Sequence, residues 1–231
     1  MSIRPSAIAA GIFALVLGQA VLAGGPIDTG TAPEAIAPLP ASDWSGTYVG
    51  IAAAAANGDN LWRRASDGLE LAPSPWEGNM VSLTLGHDWQ SNRLTYGALL
   101  SIGNGTLTAS PANGPFINCV ECQTIANDLM TLRGRVGFAA GQTHFFATGG
   151  LARANITATN LFGLIIEADT AMTGWTAGIG VERRISDRLA VALSYDHVDL
   201  GTLNLPTYQP AGDGETDVNF GLMQLGLNVR W

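Results

Sequence analysis

The chain has no lysine; its basic charge comes from arginine alone, eleven residues set against nineteen acidic ones. The resulting net charge of −8 at pH 7 disfavours a nucleic-acid partner, whose phosphates are bound by a surplus of basic side chains. Charged residues of both signs make up only 13% of the chain, against about 25% in an ordinary soluble domain. Cysteine is limited to Cys119 and Cys122, and histidine to His87, His144 and His197. Zinc sites need four such ligands or three and a water close together, and the spacing here offers none. No pattern calls for a cofactor. Beyond the N-terminus no apolar run approaches the roughly 20 residues of a membrane-spanning helix.

What is present is diffuse apolarity. Hydrophobic residues make up 47% of the chain and are interleaved with 29 glycines and with Thr, Ser and Asn. At the N-terminus, Arg4 precedes an apolar run from Ala7 to Leu17 that ends in Val21-Leu22-Ala23. A short basic region, an apolar core and a small residue before a cleavage point make residues 1–23 an expected signal peptide. Gly18, Gln19, Gly24, Gly25 and Pro26 cut the run too short for an anchor helix. Residues 24–43, with Pro26, Pro33, Pro38 and Pro40, read as a flexible periplasmic leader. In an exported chain Cys119 and Cys122 are expected to form a disulfide, stapling a loop that Pro111, Gly114 and Pro115 make irregular.

From residue 44 to 231 one pattern persists, with period two. In the last segment Met223, Leu225, Leu227, Val229 and Trp231 alternate with Gln224, Gly226, Asn228 and Arg230. The same alternation marks strands at roughly 44–57, 78–90, 93–104, 127–140, 143–156, 170–184, 188–200 and 218–231. Connections after the second, fourth and sixth strands are tight, at Ser91-Asn92, Gly141-Gln142 and Ser186-Asp187. The others are long. Sorted short and long connections characterise outer-membrane barrels, whose tight turns face the periplasm. The expectation is all-β: an eight-stranded antiparallel up-and-down transmembrane β-barrel, which closes and leaves no unpaired edge in hydrocarbon. A secreted β-sandwich is the alternative. Trp44, Trp89, Tyr96 and Trp231 are then expected to form an aromatic girdle at the periplasmic rim.

Several segments resemble the small eight-stranded outer-membrane surface antigens, the porin-family or immunogenic proteins grouped with the OmpA-like transmembrane barrel. They are Trp44-Ser-Gly-Thr-Tyr48-Val-Gly50, Leu132-Arg-Gly-Arg-Val-Gly137, Thr148-Gly-Gly-Leu-Ala152 and Gly174-Trp-Thr-Ala-Gly-Ile-Gly-Val-Glu182. Tyr195 and the terminal aromatic extend the match over residues 44–231. The cysteine pair is not part of that pattern, and no peptidoglycan-binding domain is expected after the eighth strand. The resemblance implies surface exposure, envelope integrity, immunogenicity and in some members small-solute passage. Its partners would be outer-membrane lipids and lipopolysaccharide, with barrel-assembly machinery acting during insertion. Oligomeric state is left open.

The candidate site is ionic. Opposite the apolar parity lie Asp88, Arg133, Arg135, Glu182, Asp196 and Arg230, expected inside the barrel. An eight-stranded interior is just wide enough for side chains to fill, so a salt-bridged plug is the leading expectation and a gated ion path, using space at Gly178, Gly180, Ala190 and Gly226, the second. An enzyme is expected least: no serine shares a strand face with His87, His144 or His197 at the next position, as a serine–histidine pair on one strand would need. The acidic outer connections, such as Asp213-Gly-Glu-Thr-Asp217, lack the glycine placement of a calcium hand. The mature chain should fractionate with outer membranes and migrate faster on gels unheated than boiled. A detergent-independent soluble monomer would contradict the barrel.

Overall fold

The computed structural model describes residues 42–65, 68–70, 73–110, 122–162, 164–205 and 214–231. The expected signal peptide, all but the last two residues of the expected leader, Cys119 and Asp213 lie outside them. Among the described residues the chain forms strands and no helix. These are β1 (Gly46–Asn57), β2 (Asp59–Arg64), β3 (Ser74–Pro75), β4 (Glu77–Ser91), β5 (Leu94–Ala109), β6 (Cys122–Ala140), β7 (Thr143–Phe162), β8 (Leu164–Arg184), β9 (Leu189–Leu205) and β10 (Gly214–Arg230).

Alternation along each strand produces two faces, and antiparallel pairing carries them round a ring. β1, β4, β5, β6, β7, β8, β9 and β10 are neighbours in that order, and β10 pairs back onto β1. Closure holds Tyr48 opposite Arg230 and Asn57 opposite Gly221. A closed ring satisfies the backbone without an edge, which a segment in hydrocarbon requires. Ile51, Leu83, Ile102, Leu132, Leu151, Ile179 and Leu225 point outward and are more than half exposed. Large apolar side chains exposed all round a closed sheet need lipid, not water, around them.

The tight turns fall where the sequence puts them, with Asn92 (φ 57°) and Gly141 (φ 58°) supplying left-handed residues. The opposite end departs from expectation in two ways. The connection after the fifth expected strand is itself sheet: β7 and β8 pair from Thr143↔Arg183 up to Phe162↔Leu164. The segment carries good strand formers, Thr157, Thr159, Phe162, Ile165 and Ile166, so the ladder continues past the apolar band. The first long connection also contains β2 and β3, too short and irregular to register as alternation. Gly58 (φ 100°) turns the chain after β1, and β2 resumes along β10 through Leu61↔Asp217 to Arg64↔Gly214.

Inside this end the lumen is filled by an apolar cluster that includes Trp76, Met80, Leu107, Leu129, Ile156, Val198, Val218 and Phe220. Trp76 and Phe220 meet ring to ring at 5.4 Å. Above them Trp62 is fully buried, its Nε1 donating to Thr124 Oγ1 at 3.1 Å. The outer surface at the same height is polar, with Asn104 Nδ2 donating to Asp128 Oδ1 at 2.8 Å and Asn155 Nδ2 to Asp128 Oδ2 at 3.2 Å. That patch of amides and carboxylate marks where the lipid-facing band stops on β5, β6 and β7. An arginine at Leu83 should therefore cost about 2–4 kcal/mol, and one at Thr106, outward but beyond the band, about 0–1 kcal/mol. Equal costs in reversible urea unfolding would show that the band is misplaced.

Candidate functional site in the barrel lumen

Inward-pointing rows from six strands converge near the turn end. Arg135 of β6 donates from Nη2 to Glu182 Oε2 at 2.6 Å and from Nη1 to Asp88 Oδ2 at 3.2 Å. Arg230 of β10 reaches Asp88 Oδ2 at 2.8 Å and lies 4.0 Å from Glu182 Oε2. Asn228 Nδ2 donates to the second oxygen of Glu182 at 2.9 Å. The Arg135 guanidinium also lies 3.9 Å from the centre of the Phe146 ring and donates to the Tyr48 hydroxyl at 3.2 Å. The four charged groups are at most 6% exposed. Buried charge is tolerated when it is paired, and two acids against two arginines balance here, although Asp88 Oδ1 and Arg135 Nε are buried without a hydrogen-bond partner.

Arg133 and Asp196 form a separate pair farther up the lumen, at 2.6 Å. Arg133 also donates to Ser101 Oγ at 3.2 Å, while Asp196 accepts from Thr148 Oγ1 at 3.2 Å and Gln224 Nε2 at 2.5 Å. Parity thus brings all six sequence-expected residues inside, but as two layers. Between the layers is a cavity of about 60 Å³, lined by Arg133, Arg135, Tyr48, Thr84 and Gln224 among others. A second, of about 30 Å³, lies between Arg133–Asp196 and the apolar cluster, with Thr131, Thr176 and Met80 in its wall. The space expected at Gly178 and Gly180 is taken: a Cβ at Gly178 would strike the Asp196 carboxylate, and one at Gly180 the Phe146 ring.

Trp44 corrects the expected girdle. It is 0% exposed and faces the barrel mouth, not lipid. The chain crosses the mouth before β1 begins at Gly46 (φ 124°), so residue 44 does not share the parity of the strand. Its backbone N–H donates to Gln90 Oε1 at 2.6 Å and its Nε1 to the Gly141 carbonyl at 3.2 Å. The Arg230 guanidinium donates to its carbonyl, and that of Arg184 lies 4.7 Å from its ring centre. Ala139 and Ala190 pack against it. Just ahead, the Ser45 backbone N–H bonded to the Asp43 carboxylate at 2.8 Å holds Asp43 below the usual carboxylate range. Trp89, Tyr96 and Trp231 are exposed on the outer face, the first two stacked at 5.7 Å.

His144 belongs to the lower layer and was not among the expected members. It is fully buried, with Nε2 2.6 Å from Thr95 Oγ1 and Nδ1 3.1 Å from Arg135 Nη2. Its signal was parity with Phe146 and Thr148, opposite to Phe145 and Leu151. Thr95, His144 and Glu182 superficially line up as nucleophile, base and acid, but Arg135 separates His144 Nδ1 from Glu182, 3.8 Å away. Neither lumenal cavity touches Thr95 or His144. Among the described residues no group of three metal-ligating side chains converges. Cys122 opens β6, and its expected partner Cys119 is outside the described residues.

The profile of the outer membrane protein beta-barrel domain matches residues 30–230. The chain belongs to that family. It is 28% identical over 98% of its length, and 99% of theirs, to proteins named 31 kDa outer-membrane immunogenic protein from Brucella melitensis and Brucella suis. Among solved structures, the outer membrane protein OprG of Pseudomonas aeruginosa is similar in fold, with a TM-score of 0.55 at 9% identity, covering 84% of this chain and 99% of that one. Location in the outer membrane follows from the family and the fold together.

Glycine makes room for the ionic layers. Gly97 is opposite Asp88, and a Cβ there would strike the Asp88 carboxylate and the His87 carbonyl. Gly134, on the lipid face, has no atom closer than 3.8 Å to the same position. Gly97→Ala should therefore destabilise the barrel by about 1–3 kcal/mol, and Gly134→Ala by less than about 0.5 kcal/mol. Equal midpoints in denaturant titration would contradict the lumenal packing described here.

Proposed function

We propose that this protein is a surface-exposed, envelope-structural barrel whose lumen is shut, with its tight turns in the periplasm and its long connections outside the cell. The observation that carries this reading is the sequence of closures along the axis. Trp44 lies across one mouth, the Asp88–Arg135–Glu182–Arg230 layer comes next, then Arg133–Asp196, then the apolar cluster capped by Trp62. The cavities of about 60 and 30 Å³ on either side of Arg133–Asp196, which share Arg133 and Gln224 in their walls, leave little room for a hydrated solute. The orientation is supported by the asymmetry of the connections, since periplasmic turns of such barrels are short. The name of the Brucella relatives, an outer-membrane immunogenic protein, suits a chain with this much structure beyond the lipid band.

A pore would require several of these closures to move together, and no observation favours an enzyme. Purified barrel in a planar bilayer should show no steady single-channel conductance. Glu182→Gln should weaken the fold by about 3–5 kcal/mol, because it leaves the arginines partly unpaired in a buried layer, and should still not conduct. Steady conductance in the wild type, or opened by Glu182→Gln without loss of stability, would overturn the structural reading and favour a gated pore.

A further inference from the structure

Arginine is unevenly distributed over the outside of this barrel. Arg93, Arg183, Arg184 and Arg188 cluster around the tight turns, where the acidic residues are Asp43 and Asp187. At the other end, Asp59, Glu77, Asp128, Asp169, Glu215 and Asp217 outnumber Arg63, Arg64 and Arg153. Arg184 is committed to the mouth, over Trp44 and bonded to the Asp43 carbonyl. Arg93, Arg183 and Arg188 are exposed, and among the described residues none has a carboxylate within 4.0 Å. Arg183 donates one hydrogen bond, to Thr143 Oγ1 at 3.2 Å. Three cations without counter-charges on one rim of a strongly acidic protein call for an external anion.

Their surroundings specify its kind. Leu94, Phe138, Phe145, Ile185 and Trp231 are each about half exposed or more on the same rim, directly beside these arginines in sequence or in register. Apolar side chains that face acyl chains therefore stop at the level where free guanidinium groups begin. A guanidinium at that height forms forked hydrogen bonds to phosphate while its methylenes stay against the apolar layer. We infer that Arg93, Arg183 and Arg188 form a binding rim for anionic phospholipid headgroups, in the leaflet that faces the turn end. Placing that leaflet on the periplasmic side rests on the orientation proposed above. A zwitterionic headgroup offers the same phosphate with its own ammonium beside it, so the rim discriminates by net charge.

The test uses the full-length mature barrel in nanodiscs of phosphatidylcholine containing a minority of phosphatidylglycerol, with co-purifying lipid counted by mass spectrometry after transfer to detergent. The wild type should retain phosphatidylglycerol above its share of the disc, and the preference should fade as salt rises. The triple variant Arg93→Gln/Arg183→Gln/Arg188→Gln should lose at least about fivefold of that enrichment. Arg153→Gln, which removes an exposed arginine from the opposite end, should leave it unchanged, and heat-shifted gel mobility verifies that each variant is folded. Enrichment unchanged in the triple variant, or lost equally in Arg153→Gln, overturns the inference. So does displacement of the lipid by soluble peptidoglycan fragments, which would assign the rim to the cell wall instead. Symmetric discs report on lipid binding whichever way the barrel faces. Antibody access on intact cells to an epitope inserted between residues 206 and 213 tests the orientation separately.

Discussion

Arg135 is held from four other strands at once, and the interior is arranged around the need to supply its partners. A guanidinium cannot lose its charge, and inside an eight-stranded ring it cannot reach bulk water. Glu182, Asp88, the Tyr48 hydroxyl and the Phe146 face answer it from β8, β4, β1 and β7. Each answer fixes the height of one strand relative to β6. A slip of one residue in any pair would turn the responding side chain out into lipid. The ionic layer therefore sets register around the ring, independently of the tight turns that set it between neighbours.

Small residues are the complement of that layer. Several of the large side chains inside the barrel are opposite or beside a glycine. Gly97 beneath Asp88, Gly86 beneath the Tyr48 ring, Gly178 beside Asp196 and Gly50 beside Asn228 all follow this arrangement. Among the described residues, glycine thus serves lumen volume as well as turn geometry. This also explains why space inferred from glycine alone pointed toward a path. Counted one residue at a time, Gly178 and Gly180 are openings; counted with their neighbours, they are sockets.

The ring order, the lipid face and the six charged residues inside were legible because period-two alternation is a local property that survives in any strand long enough to show it. Trp44 was not, since parity says nothing about a residue lying ahead of the first ladder pair. His144 carried the right parity but neighbours an equally inward Phe146, and an aromatic pair on one face reads as packing. β2 and β3 contain too few residues to alternate, and the β7–β8 hairpin continues through a stretch where apolar residues are consecutive, at Leu161-Phe162 and Leu164-Ile165-Ile166, and the period of two is lost. The division of the charges into two layers depends on strand stagger around a closed ring, which no single strand records.

Closure through β1 and β10 has a consequence for how the molecule comes into being. Arg230 is the last residue of β10, and it joins Asp88 to the carbonyl of Trp44. None of the buried carboxylates around it can be fully neutralised until β10 has been delivered to β1, 182 positions earlier in the chain at the pairing of Tyr48 with Arg230. Pairings so distant in sequence form slowly. The partly assembled sheet must therefore wait with Asp88 and Glu182 still hydrated, and water leaves the lumen in the same event that zips the seam. The ionic layer and the strand seam are thus completed by one residue, Arg230, so that lumen and sheet close together.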